Sequence, residues 1–215
     1  MRLEQRKSPR LETRVGNKGL IAISKPPFLR VVMILYERID LASDKKALRS
    51  ILIWSIVCMF VMVGYGLWKH SFIASFDMET WRVLFCVFAM AVGLLVYIVL
   101  HEAVHGIFIR LFTGDTPSFG FDLSKGMAYA GSTWLFRKWP YIIIALSPVV
   151  FWGIILEIWL NDIPDQYYWY LYAIQIFNIT GAAGDLYVTL RVLGMPDDIL
   201  AKDSGTAMEF YRPTK

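Results

Sequence analysis

The sequence predicts an all-α integral membrane protein, a bundle of four transmembrane helices with a small β-hairpin between spans two and three. Three observations carry this reading. Apolar residues make up 56% of the 215 residues, mean hydropathy is +0.47, and the apolar residues are gathered into blocks rather than dispersed. Several blocks approach the roughly 20 residues a helix needs to cross a bilayer. Between the second and third blocks the apolar period shortens to two, the period of a strand. At this length one domain is expected.

Residues 1–50 form a basic N-terminal segment. They hold 12 of the 22 Lys and Arg but 5 of the 18 Asp and Glu, a net of +7 against −3 for the remaining chain. Beside a membrane span such a segment reads as a cytoplasmic anchor, and it lacks the short apolar core and small-residue cleavage site of a secretory signal. Residues 1–27 mix charge with Gly16, Gly19, Pro26 and Pro27 and are expected to be irregular. Residues 28–41 are apolar but broken by Arg30, Glu37, Arg38 and Asp40. They are too short and too charged to span, and predict an interfacial or packed helix.

The membrane domain is expected over 51–192. Span one, 51–68, has 18 residues without a charge. Span two, 81–112, stops at Thr113, Gly114, Asp115 and Pro117, since glycine caps a helix C-terminus and proline cannot continue it. Residues 117–131 predict the hairpin: Phe119, Phe121 and Leu123 alternate, and Ser124-Lys125-Gly126 supplies the turn. Span three, 140–160, opens on Pro140, which suits a first helical turn. An acidic loop, 161–165, precedes span four, 167–192, whose first residues Tyr167, Tyr168, Trp169 and Tyr170 form an aromatic belt. Residues 193–215 are a polar C-terminal tail. Arg110, Lys125, Arg137 and Lys138 fall on the side of the basic arm and the loop at 161–165 has no Lys or Arg, so both termini are expected in the cytoplasm of a multi-pass cell-membrane protein. Cys58 and Cys86 lie in apolar runs with no ligand spacing and read as small core residues.

Two of the three histidines close span two in the run His101-Glu102-Ala103-Val104-His105. Residues four apart share one helix face, so both imidazoles can reach one ion. Glu102 falls beside that ion, where it can serve as general base toward water. Ionisable groups at membrane depth are costly and call for a function. A catalytic zinc takes three protein ligands and keeps a fourth position open, and depth selects the third. His101 lies 20 residues into span two, roughly 30 Å at 1.5 Å per residue, and Asp185 lies 18 residues into span four, roughly 27 Å from the same side. Glu157 sits near the opposite face. The expected ligands are His101, His105 and Asp185. Gly181-Ala182-Ala183-Gly184 beside Asp185 permits close helix approach or a local break. Asn178, two turns before Asp185 on the same face, is a candidate oxyanion donor or interhelical hydrogen-bonding residue.

These readings predict an integral-membrane zinc metalloprotease with Glu102 as base, acting on membrane or membrane-associated proteins near the cytoplasmic face. Its partners would be that substrate and the bilayer, with no nucleic acid, because the basic arm has no reading helix. The alternatives are a non-catalytic zinc-binding adaptor, against which an intact Glu102 argues, and a metal transporter or sensor. A transporter would want a ladder of polar residues across the membrane, and the sequence offers one compact site.

The ordered set His101-Glu102-x-x-His105-Gly106, Phe119-Gly120-Phe121, Ala128-Tyr129-Ala130, Ser147-Pro148, Asn178 and Gly184-Asp185-Leu186 resembles the zincin peptidase family of small bacterial multi-pass membrane proteins. The segment Ala201-Lys202-Asp203-Ser204-Gly205 with Tyr211 resembles that family's closing segment. More distantly the chain is similar to the site-2 proteases, which place H-E-x-x-H in one span, an aspartate ligand in a later one, and between them a hairpin that can take substrate as an added strand. That likeness implies His101, His105 and Asp185 as ligands and Glu102 as base. The chain departs from the site-2 pattern in having Gly-Asp-Leu in place of Leu-Asp-Gly and no Asn-Pro there.

Overall fold

The computed structural model describes residues 15–16, 20–25, 29–40, 43–122, 127–205 and 207–214. In chain order these form β1 (Val15–Gly16), β2 (Leu20–Lys25), β3 (Leu29–Asp40), α1 (Lys45–Lys69), a 3-10 turn (Ile73–Ser75), α2 (Thr80–Thr113), β4 (Ser118–Asp122), β5 (Met127–Gly131), β6 (Leu135–Arg137), α3 (Lys138–Asp162), α4 (Asp165–Gly181), α5 (Ala183–Leu193), β7 (Leu200–Asp203) and β8 (Ala207–Pro213).

Three helices, α1, α2 and α3, are long and apolar enough to cross a membrane. Their apolar side chains face outward: Phe60 is 67% exposed, Leu95 67% and Val99 68%. A surface of this kind is stable against lipid and costly against water. Asp44 fixes the start of α1, its carboxylate accepting from the backbone amides of Lys46 at 2.8 Å and Ala47 at 3.2 Å, so the helix begins inside the basic collar, ahead of the apolar run. Gly114 ends α2 in the left-handed region, at φ 72°, a conformation that costs glycine nothing. The expected fourth span is two helices. α4 stops at Gly181, and α5 starts at Ala183 after a non-helical Ala182.

The hairpin pairs β4 with β5 in antiparallel register, Ser118 opposite Gly131 and Asp122 opposite Met127. Its first strand rests on α2 at Gly106, where a Cβ would lie 2.3 Å from the Phe119 ring. A side chain at this position would have to displace that ring.

The all-α expectation is incomplete. A six-stranded antiparallel sheet, in the order β1-β2-β3-β8-β7-β6, closes one end of the bundle. It also corrects the interfacial helix expected over 28–41, which is strand β3. The charges that interrupted that apolar run have distant partners: Arg38 pairs with Glu209 across β8 at 3.8 Å, and Glu37 pairs with Arg191 of α5. Valines, isoleucines and Tyr36 also favour the pleated form. Residues 15–16 and 20–25, expected to be irregular, are strands of the same sheet, while the rest of 1–28 lies outside the described residues. The tail read as polar likewise supplies β7 and β8, with Ala201 and Phe210 at 0% exposure.

The sheet is joined to the helices by a continuous core. Phe210, Met208, Ala201 and Ile199 pack with Ile109 of α2, Tyr141, Ile142 and Ile144 of α3, and Val188 and Val192 of α5. Each large apolar side chain so buried contributes about 1.5–3 kcal/mol. A second cluster, Leu160, Tyr168, Trp169 and Tyr172, ties α3 to α4 at the far end. Glu157 lies at that end, 3.5 Å from Lys69.

Candidate metal centre

His101 and His105 stand one turn apart on α2, ring centroids 5.0 Å apart and planes at 78°. The Asp185 carboxylate, on the first turn of α5, meets both: Oδ2 is 3.3 Å from His101 Nε2 and Oδ1 is 3.7 Å from His105 Nε2. The break at Ala182 allows this. α4 ends before Asp185, and α5 begins at Ala183 and packs against α3 and α1. The structure therefore brings together the two histidines and the aspartate that the depth argument paired.

Each histidine has its other ring nitrogen engaged. His105 Nδ1–H donates to the Ile144 carbonyl at 2.9 Å. That carbonyl is available because its usual helical donor would be the amide of residue 148, which is Pro148, inside α3. The second lone pair of Ile144 takes the Ser147 hydroxyl at 2.8 Å. His101 Nδ1 lies 2.9 Å from the Tyr97 hydroxyl, which donates to Asn178 Oδ1 at 2.6 Å. With its proton committed to Asn178, the Tyr97 oxygen accepts from His101 Nδ1–H. Both Nε2 lone pairs are left facing Asp185. Two imidazoles with their distal N–H groups anchored and a carboxylate between them form a donor set suited to zinc, so the residues fit the ion that the motif implies.

Glu102 offers a second carboxylate, since donor atoms of His101, Glu102 and His105 lie within 4.8 Å of one another. Its position differs from that of Asp185, because the backbone N–H of Ala130 in β5 faces it. Asp185 touches both Nε2 atoms, whereas Glu102 lies between the metal donors and the hairpin. These groups line a cavity of about 270 Å³. Its wall also includes Tyr141 and Asp203; neither has a role at the site in the sequence reading, where Asp203 stands out only within the closing segment of the family likeness. Asp203 Oδ2 accepts from the Tyr141 hydroxyl at 2.9 Å, and Oδ1 accepts from the Gly205 amide at 2.8 Å. The surrounding protein pushes the Asp203 carboxyl above its ordinary range, an effect only partly offset by those two donors. The segment carrying it docks on the hairpin, where the Ser132 amide donates to the Asp203 carbonyl at 2.8 Å. Asn178, weighed as an oxyanion donor, is 0% exposed. Its amide nitrogen donates to the Val149 carbonyl and to Gln175 Oε1 at 3.2 and 3.3 Å.

Three helices long and apolar enough to cross a membrane, an H-E-x-x-H run on one of them and a distant aspartate against both imidazoles are the features of a zincin-type site. Residues 94–200 match the family model described as "Putative zincin peptidase", and over this segment the chain belongs to that family. Among curated proteins it is 31% identical over 125 residues to an uncharacterized 24.7 kDa protein in the gap 5′ region of Pyrococcus woesei, a match covering 56% of this chain. The chain spans about half the length of that relative, 53%. No solved structure matches.

Proposed function

We propose that the chain is an integral-membrane zinc metalloprotease that hydrolyses peptide bonds of membrane or membrane-associated proteins near the cytoplasmic face. The observation that carries this reading is the convergence of His101 Nε2 and His105 Nε2 on one Asp185 carboxylate, at 3.3 and 3.7 Å, with Glu102 beside them facing the Ala130 amide of β5. His101, His105 and Asp185 hold the ion. Zinc bound there supplies Lewis-acid charge that acidifies a neighbouring water and stabilises negative charge on a carbonyl oxygen. Glu102 takes the proton from the attacking water and returns it to the departing amine. The β4–β5 hairpin pairs with an extended substrate segment by strand addition, which brings the segment alongside Glu102, since β5 packs on α2.

Four crossings with both termini in the cytoplasm are part of the same proposal. β3 enters α1, β8 follows α5, and these two strands pair through seven residue pairs, from Met33 opposite Pro213 to Asp40 opposite Ala207. Chain that leaves and returns to one sheet crosses an even number of times, which α4 and α5 together complete. The basic arm at that end supports a cytoplasmic side.

Metal content and cleavage of single-span membrane substrates, measured on purified protein, test the reading. Wild type should carry near one zinc per chain and cleave. Glu102→Gln should keep the metal and lose cleavage by at least about 100-fold, the range for a general base. Asp185→Ala should lose metal as well. Absence of zinc from wild type under non-chelating conditions would overturn the proposal.

A further inference from the structure

Asn178 and Gln175 are buried polar side chains in α4, at 0% and 7% exposure, among apolar helices where an unsatisfied amide is expensive. Their hydrogen bonds have a direction that can be fixed. The Gly153 and Val149 carbonyls of α3 can only accept. Gln175 Nε2 faces the first at 3.2 Å and Asn178 Nδ2 faces the second at 3.2 Å, so both amide nitrogens point to α3. Gln175 Oε1 then accepts from Asn178 at 3.3 Å. Asn178 Oδ1 faces the opposite way and accepts from Tyr97 at 2.6 Å, and the Tyr97 oxygen lies 2.9 Å from His101 Nδ1. Every proton in this chain runs away from the metal centre toward α3.

We infer that Tyr97, Asn178 and Gln175 are positioning residues, a directed relay that holds His101 in the Nδ1–H form with Nε2 presented to the ion. This rests on the metal-site reading above and assigns Asn178 a role other than oxyanion donor, since both its amide hydrogens are engaged with α3 and α4 rather than with the cavity. It also accounts for Tyr97, one turn before His101 on α2, where both residues share a face. The relay crosses three helices, so it couples the ring angle of one ligand to the packing of α2, α3 and α4. Outer partners of ligating histidines fix both tautomer and ring orientation.

The test is zinc affinity by competition against a chelator, with visible spectra of the cobalt-loaded protein, for wild type, Tyr97→Phe, Asn178→Ala and the double variant. Tyr97→Phe should weaken zinc by roughly 10- to 100-fold and shift the cobalt spectrum. Asn178→Ala should weaken it in the same direction, and the double variant should bind no worse than Tyr97→Phe, because the two residues act in series. Unchanged affinity in Tyr97→Phe would overturn the inference while leaving the metal site intact. Losses that multiply in the double variant would also overturn it, since independent packing defects add. Wild type that binds no metal would remove the metal-site reading itself, a result distinct from either. Tyr97→Phe deletes one oxygen and decides the matter alone if Asn178→Ala fails to fold.

Discussion

At the scale of single residues, the site is a set of groups whose partners fix their protonation and direction. Asp203 is the case where this has a pH consequence. Its carboxyl is raised above the ordinary 3.8 by the protein around it, so the folded metal-free state holds that proton more tightly than the unfolded chain. The associated stability is fully present below the ordinary pKa and is lost as pH rises through the raised one. Asp203→Asn keeps an acceptor for the Gly205 amide and removes the titration. In chemical denaturation of metal-free protein, wild type should lose stability relative to Asp203→Asn as pH climbs above about 4. A difference between the two proteins that stays constant across that range would dismiss this account. The residues legible in the sequence are those with a rigid local rule or a depth rule: His101 and His105 four apart on one helix, and Asp185 placed by counting rises. Tyr97 obeys the same four-residue rule relative to His101, but an aromatic residue inside an apolar run carries no sign of its partner. Asp203 had no local signal, because it reaches the cavity only through the pairing of β7 with β8 and its docking on the hairpin.

At the scale of elements, the helices show how irregularity serves the site. α2 has 34 residues, about 51 Å at 1.5 Å each against a hydrocarbon core of about 30 Å. In the proposed topology the excess carries the histidine turn toward the membrane surface, on the side of the hairpin. α3 carries Pro148 in its interior, which removes the donor to Ile144 and frees the carbonyl that anchors His105. Proline disfavours a helix interior by about 3 kcal/mol relative to alanine, so Pro148→Ala separates two accounts. If the proline were only a tolerated defect, alanine would leave metal binding unchanged. The anchoring account expects zinc affinity to fall about tenfold, while the metal-free protein unfolds at the same temperature or higher, as measured by chelator competition and thermal melts. The C-terminal end of α2 had a local signal in Gly114, whereas α1 starts at Lys45, ahead of the apolar run, on an Asp44 cap that the sequence shows only as part of a basic collar. β3 was not readable as a strand. Its partner β8 lies more than 160 residues away, and its four charges look disruptive until Glu209 and Arg191 stand opposite two of them.

At the scale of the whole molecule, one sheet gathers β1 to β3, β7 and β8 and the entry to α3, and the cavity lies where that sheet meets the helices. This gives the proposed topology a sharp test. β3 and β8 share a side through their pairing, and β6 runs directly into α3, so the loop between α3 and α4 must lie across the bilayer if α4 and α5 together cross it. Their break at Ala182, with Asp185 just beyond, is then a feature of a single interrupted crossing, tolerated because the freed backbone lines a cavity rather than lipid. Single cysteines at Asp77, Thr116, Asp162 and Thr214, in a chain with Cys58 and Cys86 replaced by alanine, should divide in membrane vesicles treated with an impermeant maleimide. Asp77→Cys and Asp162→Cys should react from the outside, and Thr116→Cys and Thr214→Cys only from the cytoplasmic side. Labelling of Asp162→Cys and Thr214→Cys from one side would mean that α4 and α5 form a re-entrant loop. The aspartate would then approach the histidines from the side it left, and the count would drop to three crossings, which the pairing of β3 with β8 does not allow.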